Sequence, residues 1–188
     1  MKEIEIKFHV ADIAALKKKL RIAKFKPKTR RTHEFNTLYD LPDGALRRRG
    51  ELLRIRKYGD TWTLTHKSKG KVGRHKSRTE VETSVENGEQ LAQIFQALEF
   101  VPTFRYEKFR TEWACDNGHV VIDETPIGNF AEIEGAARWI DLTAKALGVK
   151  PSDYSVKSYA ELFEDWKRKN GCPAIEMTWK AVGKKRPR

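Results

Sequence analysis

The chain has 188 residues, 39% of them hydrophobic and 34% charged, with a formal net charge of +12. This length suits one domain with a sizeable core, and an aromatic content of 10% argues against disorder. No apolar run approaches the roughly 18 residues of a membrane helix, no apolar leader opens the chain, and Cys115 and Cys172 have neither metal-ligand spacing nor a disulfide framework. These features read as a reduced, cytoplasmic protein without a membrane partner.

The positive excess favours anionic ligands. Part of it is set aside, because Lys17, Lys18 and Lys19 read as an outer helix face and residues 183–188 as a solvated basic tail.

The chain opens on a strand whose two-residue period puts Glu3, Glu5 and Lys7 on one face and Ile4, Ile6 and Phe8 on the other. Asp12 can cap a helix reaching about Arg21, with Ile13, Leu16 and Leu20 on one side. Residues 26–40 read as extended, closed by the turn chemistry of Leu41, Pro42, Asp43 and Gly44. A strand over 51–58 sets Leu53 and Ile55 against Arg54 and Arg56. Gly59 and Asp60 turn it into a strand over 61–67, with Thr63, Thr65 and Lys67 opposite Trp62 and Leu64.

Residues 68–76 are rich in Gly and Lys, lack periodicity and predict a mobile loop. A strand over 77–84 carries Arg78, Glu80 and Glu82 in register, and helical spacing follows over 88–100. A long strand over 103–114 places Tyr106, Lys108, Arg110 and Glu112 on one face. Asp116, Asn117 and Gly118 predict a hairpin turn into a strand over 119–124. Glu132 and Glu134 alternate with Ala131, Ile133 and Gly135 over 129–135. Helices are predicted over 137–147 and from Ser158 to about Lys169, the second opened by a Ser158/Glu161 capping box.

This gives eight strands, several charged along one face and apolar along the other. An ordinary solvated face would mix in Thr, Ser and Gln. So many acidic and basic side chains fit a closed sheet with a charged lumen and helices over its apolar outside. The fold expected is α+β, a closed antiparallel eight-stranded barrel occupying residues 1–170, followed by an extension over 171–188.

Arg and Lys suit a run of phosphates, while carboxylates without His or Cys suit hard divalent cations. A metal–triphosphate complex satisfies both sets of charges at once.

The same residues resemble the CYTH superfamily, the triphosphate tunnel metalloenzymes that include class IV adenylyl cyclases and thiamine triphosphatases. The opening Glu-x-Glu-x-Lys stands as Glu3, Glu5 and Lys7. Matches continue through Leu53–Arg56, Leu64–Lys67, Arg78–Glu82, Glu107–Arg110, Val121–Asp123 and Gly128–Glu134. The resemblance implies that Glu3, Glu5, Glu80, Glu82, Glu132 and Glu134 hold Mg²⁺ or Mn²⁺. It assigns the triphosphate to Lys7, Arg54, Arg56, Lys67, Arg78, Lys108 and Arg110. Catalytic roles fall to Lys67, Asp123 and Tyr39, with Asp123 orienting a basic group or a metal-bound water. Asn36 departs from the acidic residue of many members, and His33, His66 and His119 read as bystanders.

The stretch from Lys157 to Leu162 resembles the cyclase-like branch. An adenylyl cyclase acting on ATP is therefore the leading expectation. A triphosphatase acting on thiamine triphosphate, tripolyphosphate or a nucleotide is the alternative. A non-catalytic polyphosphate or RNA 5′-end binder is disfavoured, as is nucleic acid generally, and a homodimer is left open.

Overall fold

The computed structural model describes residues 2–115 and 118–187. The predicted turn at Asp116 and Asn117 lies outside the described residues. Ten strands form a single antiparallel sheet. Eight of them close into a barrel: β1 (Lys2–His9), β3 (Thr32–Asp40), β4 (Leu52–Tyr58), β5 (Thr61–Lys67), β7 (Lys76–Val85), β8 (Val101–Cys115), β9 (Gly118–Thr125) and β10 (Gly128–Gly135). Around the barrel the order is β1-β10-β9-β8-β3-β4-β5-β7, and β7 pairs back onto β1. Closure leaves the barrel no free edge around most of its circumference.

Two short strands decorate it. β2 (Lys26–Pro27) pairs with β8, so the extended stretch over 26–40 is divided in two. β6 (Lys71–Val72) folds back on β7, which corrects the loop expected over 68–76: this stretch is a hairpin. Its tip is tied down where Arg74 and His75 both reach Asp141, at 3.2 and 3.0 Å.

Outward-facing apolar residues bury under helices. Ile6, Phe8, Val120, Ile122, Ala131 and Ile133 pack beneath α1 (Ile13–Ile22) and α4 (Ala137–Leu147), meeting Leu16, Leu20, Ile140, Ala144 and Leu147. Each of the larger side chains contributes about 1.5–3 kcal/mol when fully buried, and the two alanines less. Asp12 accepts from the Ala15 amide and starts α1 as expected. α3 (Gly88–Ala97) lays Phe95 over Tyr39 and Ile55, with Asn87 capping it.

Sequence reading missed α2 (Ala45–Arg48), a single turn too short for periodicity. It is started by Asp40, whose carboxylate accepts from the Leu46 and Arg47 amides at 2.8 and 2.9 Å.

α5 (Tyr159–Asn170) closes one end of the barrel, starting from the Ser158/Glu161 capping box. Its Tyr159 and Phe163 pack with Tyr106, Phe130 and Met177. The extension beyond residue 170 docks rather than trailing away. Met177 exchanges backbone hydrogen bonds with Arg105 and Glu107 along the half of β8 that β9 does not cover. Met177 and Trp179 are buried, while residues 183–187 are exposed.

Candidate functional site

The barrel encloses a cavity of about 620 Å³ lined by eight Lys or Arg and seven Glu side chains. Antiparallel register explains the crowding. Luminal residues on neighbouring strands face each other as Glu34 and Lys108, Lys7 and Glu132, Arg110 and Asp123, and Lys67 and Glu80. Directly opposed residues stand about 4.5–5.5 Å apart at Cβ, so these four register steps each set a cation against a carboxylate.

At the closed end the charges are balanced and buried. Lys108 contacts Asp123 at 2.9 Å and Glu34 at 3.3 Å. Arg110 reaches Asp123 at 2.6 Å and Glu132 at 2.7 Å, and Lys7 reaches Glu132 at 2.5 Å. Asp123, itself fully buried, also accepts from the Tyr159 hydroxyl at 2.6 Å. The Lys7 and Lys108 ammonium groups stand 4.7 and 4.6 Å from the Tyr159 ring centroid. Burial alone would raise the Glu132 carboxyl, but Lys7 and Arg110 hold it well below the usual carboxylate range. The same balance, led by Lys108 and Arg110, keeps Glu34 ionised far into acid. This layer is held together by strong pairs that need no ligand.

Nearer β1 and β7 the charges are not matched. Lys67 sits between two carboxylates, 2.8 Å from Glu3 and 2.7 Å from Glu80. Burial still pushes Glu3 up to about 7; Lys67 opposes the rise, and neighbouring Glu5 and Glu80 add to it. Glu5 makes no ion pair among the described residues, and β1–β10 register sets it opposite Glu134, which pairs instead with His119 at 3.0 Å. Lys76 and Arg78 line the same cavity, also without a carboxylate partner among the described residues. Burial depresses Lys76, with Arg78 adding to the effect against Glu5. The Arg78 Nε is buried and makes no hydrogen bond. Arg54 and Arg56 converge on Glu82 at 3.5 and 2.9 Å.

All thirteen predicted phosphate- and metal-binding residues line this cavity: Glu3, Glu5, Lys7, Arg54, Arg56, Lys67, Arg78, Glu80, Glu82, Lys108, Arg110, Glu132 and Glu134. Asp123 stands behind the wall and orients Lys108 and Arg110. Tyr39 is a correction. It lies outside the barrel against Phe95, ring centroids 5.1 Å apart, because the alternation that turns Asn36 inward turns Tyr39 outward.

Four further residues were missed. Glu34 and Tyr159 enter the network from a strand read only as extended and from the closing helix. Lys76 was assigned to a loop, and His119, read as a bystander, lines the cavity and binds Glu134. The inward alternation of Glu34 with Asn36 was the one available signal.

Among the described residues no three His, Cys, Asp or Glu side chains converge as a preformed metal site. The donor set nevertheless fits a hard divalent cation. Glu3, Glu5 and Glu80 are oxygen donors whose mutual repulsion is only partly relieved, and the ammonium of Lys67 occupies the position of a cation between two of them.

The comparisons agree with this geometry. The CYTH domain matches residues 1–147. A Methanocaldococcus jannaschii protein named "putative adenylate cyclase" is 28% identical over 176 residues, covering 86% of this chain and 98% of that one. The solved structure of a "putative adenylate cyclase" from Vibrio parahaemolyticus superposes with a TM-score of 0.76 at 18% identity, covering 86% of this chain and 97% of its own. A Hippeastrum "putative adenylyl cyclase", described as revealing a dominant triphosphatase activity, superposes with a TM-score of 0.64 at 20% identity, covering 87% and 95%. The chain belongs to the CYTH domain family.

Proposed function

We propose that the protein is a divalent-metal-dependent enzyme acting on a linear triphosphate, and that its reaction is the adenylyl cyclase one. In that reaction the 3′-hydroxyl of ATP attacks the α-phosphorus, and pyrophosphate leaves. The observation that carries the reading is the pairing of unmatched charges of both signs in one cavity: Glu5 beside Lys76 and Arg78. A lone anion site would not place carboxylates there, and a lone metal site would not place unpaired cations there.

Lys76, Arg78, Arg54 and Arg56 hold the phosphates, the guanidinium groups by bidentate hydrogen bonds. Lys67 leaves its two carboxylates to neutralise charge on the departing phosphates. Asp123 is a positioning residue that keeps Lys108 and Arg110 aimed inward. Mg²⁺ or Mn²⁺ would be held by Glu3, Glu5 and Glu80, with Glu82 and Glu134 as further donors, while Glu132, expected as a donor, is taken up by Lys7 and Arg110. When bound it supplies Lewis-acid stabilisation of phosphate charge. The cyclase reading draws support from the name of the Methanocaldococcus relative.

A triphosphatase is the second reading, favoured by the walls themselves. Apart from Leu52, Val81, Val121, Tyr106, Tyr159 and Ser158, every lining residue is a charged side chain or histidine, which serves a phosphate chain better than a nucleobase.

Incubating the protein with ATP and Mg²⁺ or Mn²⁺, then resolving products by ³¹P NMR, tests both. Cyclic AMP with pyrophosphate supports the cyclase, and ADP with phosphate supports the triphosphatase. Full turnover in chelator, or none with ATP, thiamine triphosphate or tripolyphosphate, would remove the proposal.

A further inference from the structure

Residues 17–31 hold nine Lys or Arg and no Asp or Glu. The fold does not dissolve this run into separate ion pairs. The apolar side of α1 is committed to the core through Leu16 and Leu20, which turns the cations outward. Lys18, Lys24, Lys26, Lys28 and Arg30 are exposed and make no ion pair among the described residues. Arg31 is held by Glu124, and Lys19 by the Leu147 carbonyl.

The strip also has a direction. Beyond β2 the Lys28 amide donates to the Glu112 carbonyl at 2.8 Å. The Thr29 hydroxyl then accepts from the Glu112 amide and from the Tyr58 hydroxyl, each at 3.0 Å. The Glu112 side chain lines the cavity together with His119, so the basic strip ends at its rim.

One detail sets Lys24 apart. It ends α1 in the left-handed region, φ 62°, at a position where glycine is the usual residue. The Lys24 and Phe25 amides close the helix on the Arg21 and Leu20 carbonyls. A lysine there carries backbone strain, and its side chain makes no hydrogen bond or ion pair among the described residues.

We infer that the strip from Lys18 to Arg30 docks the phosphate backbone of a nucleic-acid strand, laying it beside the cavity rim. Phe25 and Trp113 beneath the strip are buried, and half-buried Phe109 is covered by the Arg31 guanidinium, 3.6 Å from its ring, so none of these rings is offered for base stacking. Binding is therefore sequence-independent and strongly salt-dependent. A membrane surface fits less well, since α1 shows water only one large apolar side chain, Ile22.

The probe is a 20-nucleotide single-stranded RNA with a 5′-hydroxyl, followed by fluorescence anisotropy across a salt series. Lys26→Gln, Lys28→Gln and Arg30→Gln together should weaken binding at least tenfold and flatten the log–log salt slope by about 2, at roughly 0.7 per phosphate contact. Lys24→Gly should weaken binding while leaving the melting temperature unchanged or higher. A control removing the same charge from exposed Lys169, Lys180 and Lys185 should bind like the parent. Equal losses in strip and control would reduce the effect to net charge and overturn the inference. So would absence of RNA binding, or binding of inorganic polyphosphate or phosphatidylserine vesicles without RNA.

Discussion

At the scale of single residues, Glu5 and Glu132 look alike in sequence and differ in their surroundings. Glu132 is gripped by Lys7 and Arg110, and Arg110 keeps Asp123 when Glu132 is lost, so Glu132→Gln strands buried Lys7 and should cost about 3–5 kcal/mol in denaturant unfolding. Glu5 makes no ion pair among the described residues; it stands opposite Lys76 in register and beside the Glu3 carboxylate. Glu5→Gln should leave the ligand-free fold as stable or more stable, while removing most of the rise in melting temperature produced by Mg²⁺ with a non-hydrolysable triphosphate. That rise reflects about 2.7 kcal/mol when ligand stands at 100 times its dissociation constant. A large stability loss in Glu5→Gln, with the ligand response intact, would refute its place among the metal donors.

At the scale of elements, α5 and the segment after it join wall and floor. Tyr159 gives its hydroxyl to buried Asp123, so Tyr159→Phe leaves that carboxylate short of one donor and should cost about 1–3 kcal/mol. Truncation after residue 171 removes the buried side chains of Met177 and Trp179 and bares the uncovered half of β8. Each side chain is worth about 1.5–3 kcal/mol, and an unpaired strand edge recruits other chains. The truncated protein should melt earlier and run as oligomers in size-exclusion chromatography. An unchanged monomer with the parent melting temperature would show the extension to be dispensable.

At the scale of the whole molecule, raised and depressed carboxyls give opposite pH dependences, and Glu80, which Lys67 holds down against its burial, sides with Glu34 and Glu132. Glu34 and Glu132 are depressed in the fold. Their contribution is fully present above the ordinary glutamate value near 4.3 and is lost as acid titrates the folded state. Glu3 is raised to about 7, so between roughly pH 4.3 and 7 the folded state binds a proton that the unfolded state lacks. Stability from Glu3 therefore falls as pH rises through that window. His119, raised by its hydrogen bond to Glu134, falls in the same direction above its ordinary value. Urea unfolding of the metal-free protein should show a maximum near pH 5, a decline toward pH 8 and a steep loss below pH 4. Glu3→Gln should flatten the decline, and Glu34→Gln should blunt the acid limb by removing one titrating carboxyl at a cost in overall stability. A flat profile between pH 5 and 8 in the parent would contradict the unrelieved carboxylate cluster.

The amino-acid pattern alone showed which side of most strands faces the lumen, β3 excepted, because side chains alternate with a period of two wherever one face is buried. Glu3, Glu5 and Lys7, like Arg54 and Arg56, could be placed inward before any pairing was known. The same period turns Tyr39 away from the lumen only once Asn36 is known to face inward, which the pairing of β3 with β4 and β8 decides. What it could not supply was register between strands distant in sequence. Only closure of β7 onto β1 sets Lys76 and Arg78 beside Glu5 and Glu3, and only the β1–β10 ladder sets Glu132 opposite Lys7. Tertiary structure thus decided which charges are spent on one another and which are left for a ligand. A charge's energy depends on its nearest opposite charge and its burial, and neither is a local property of the chain.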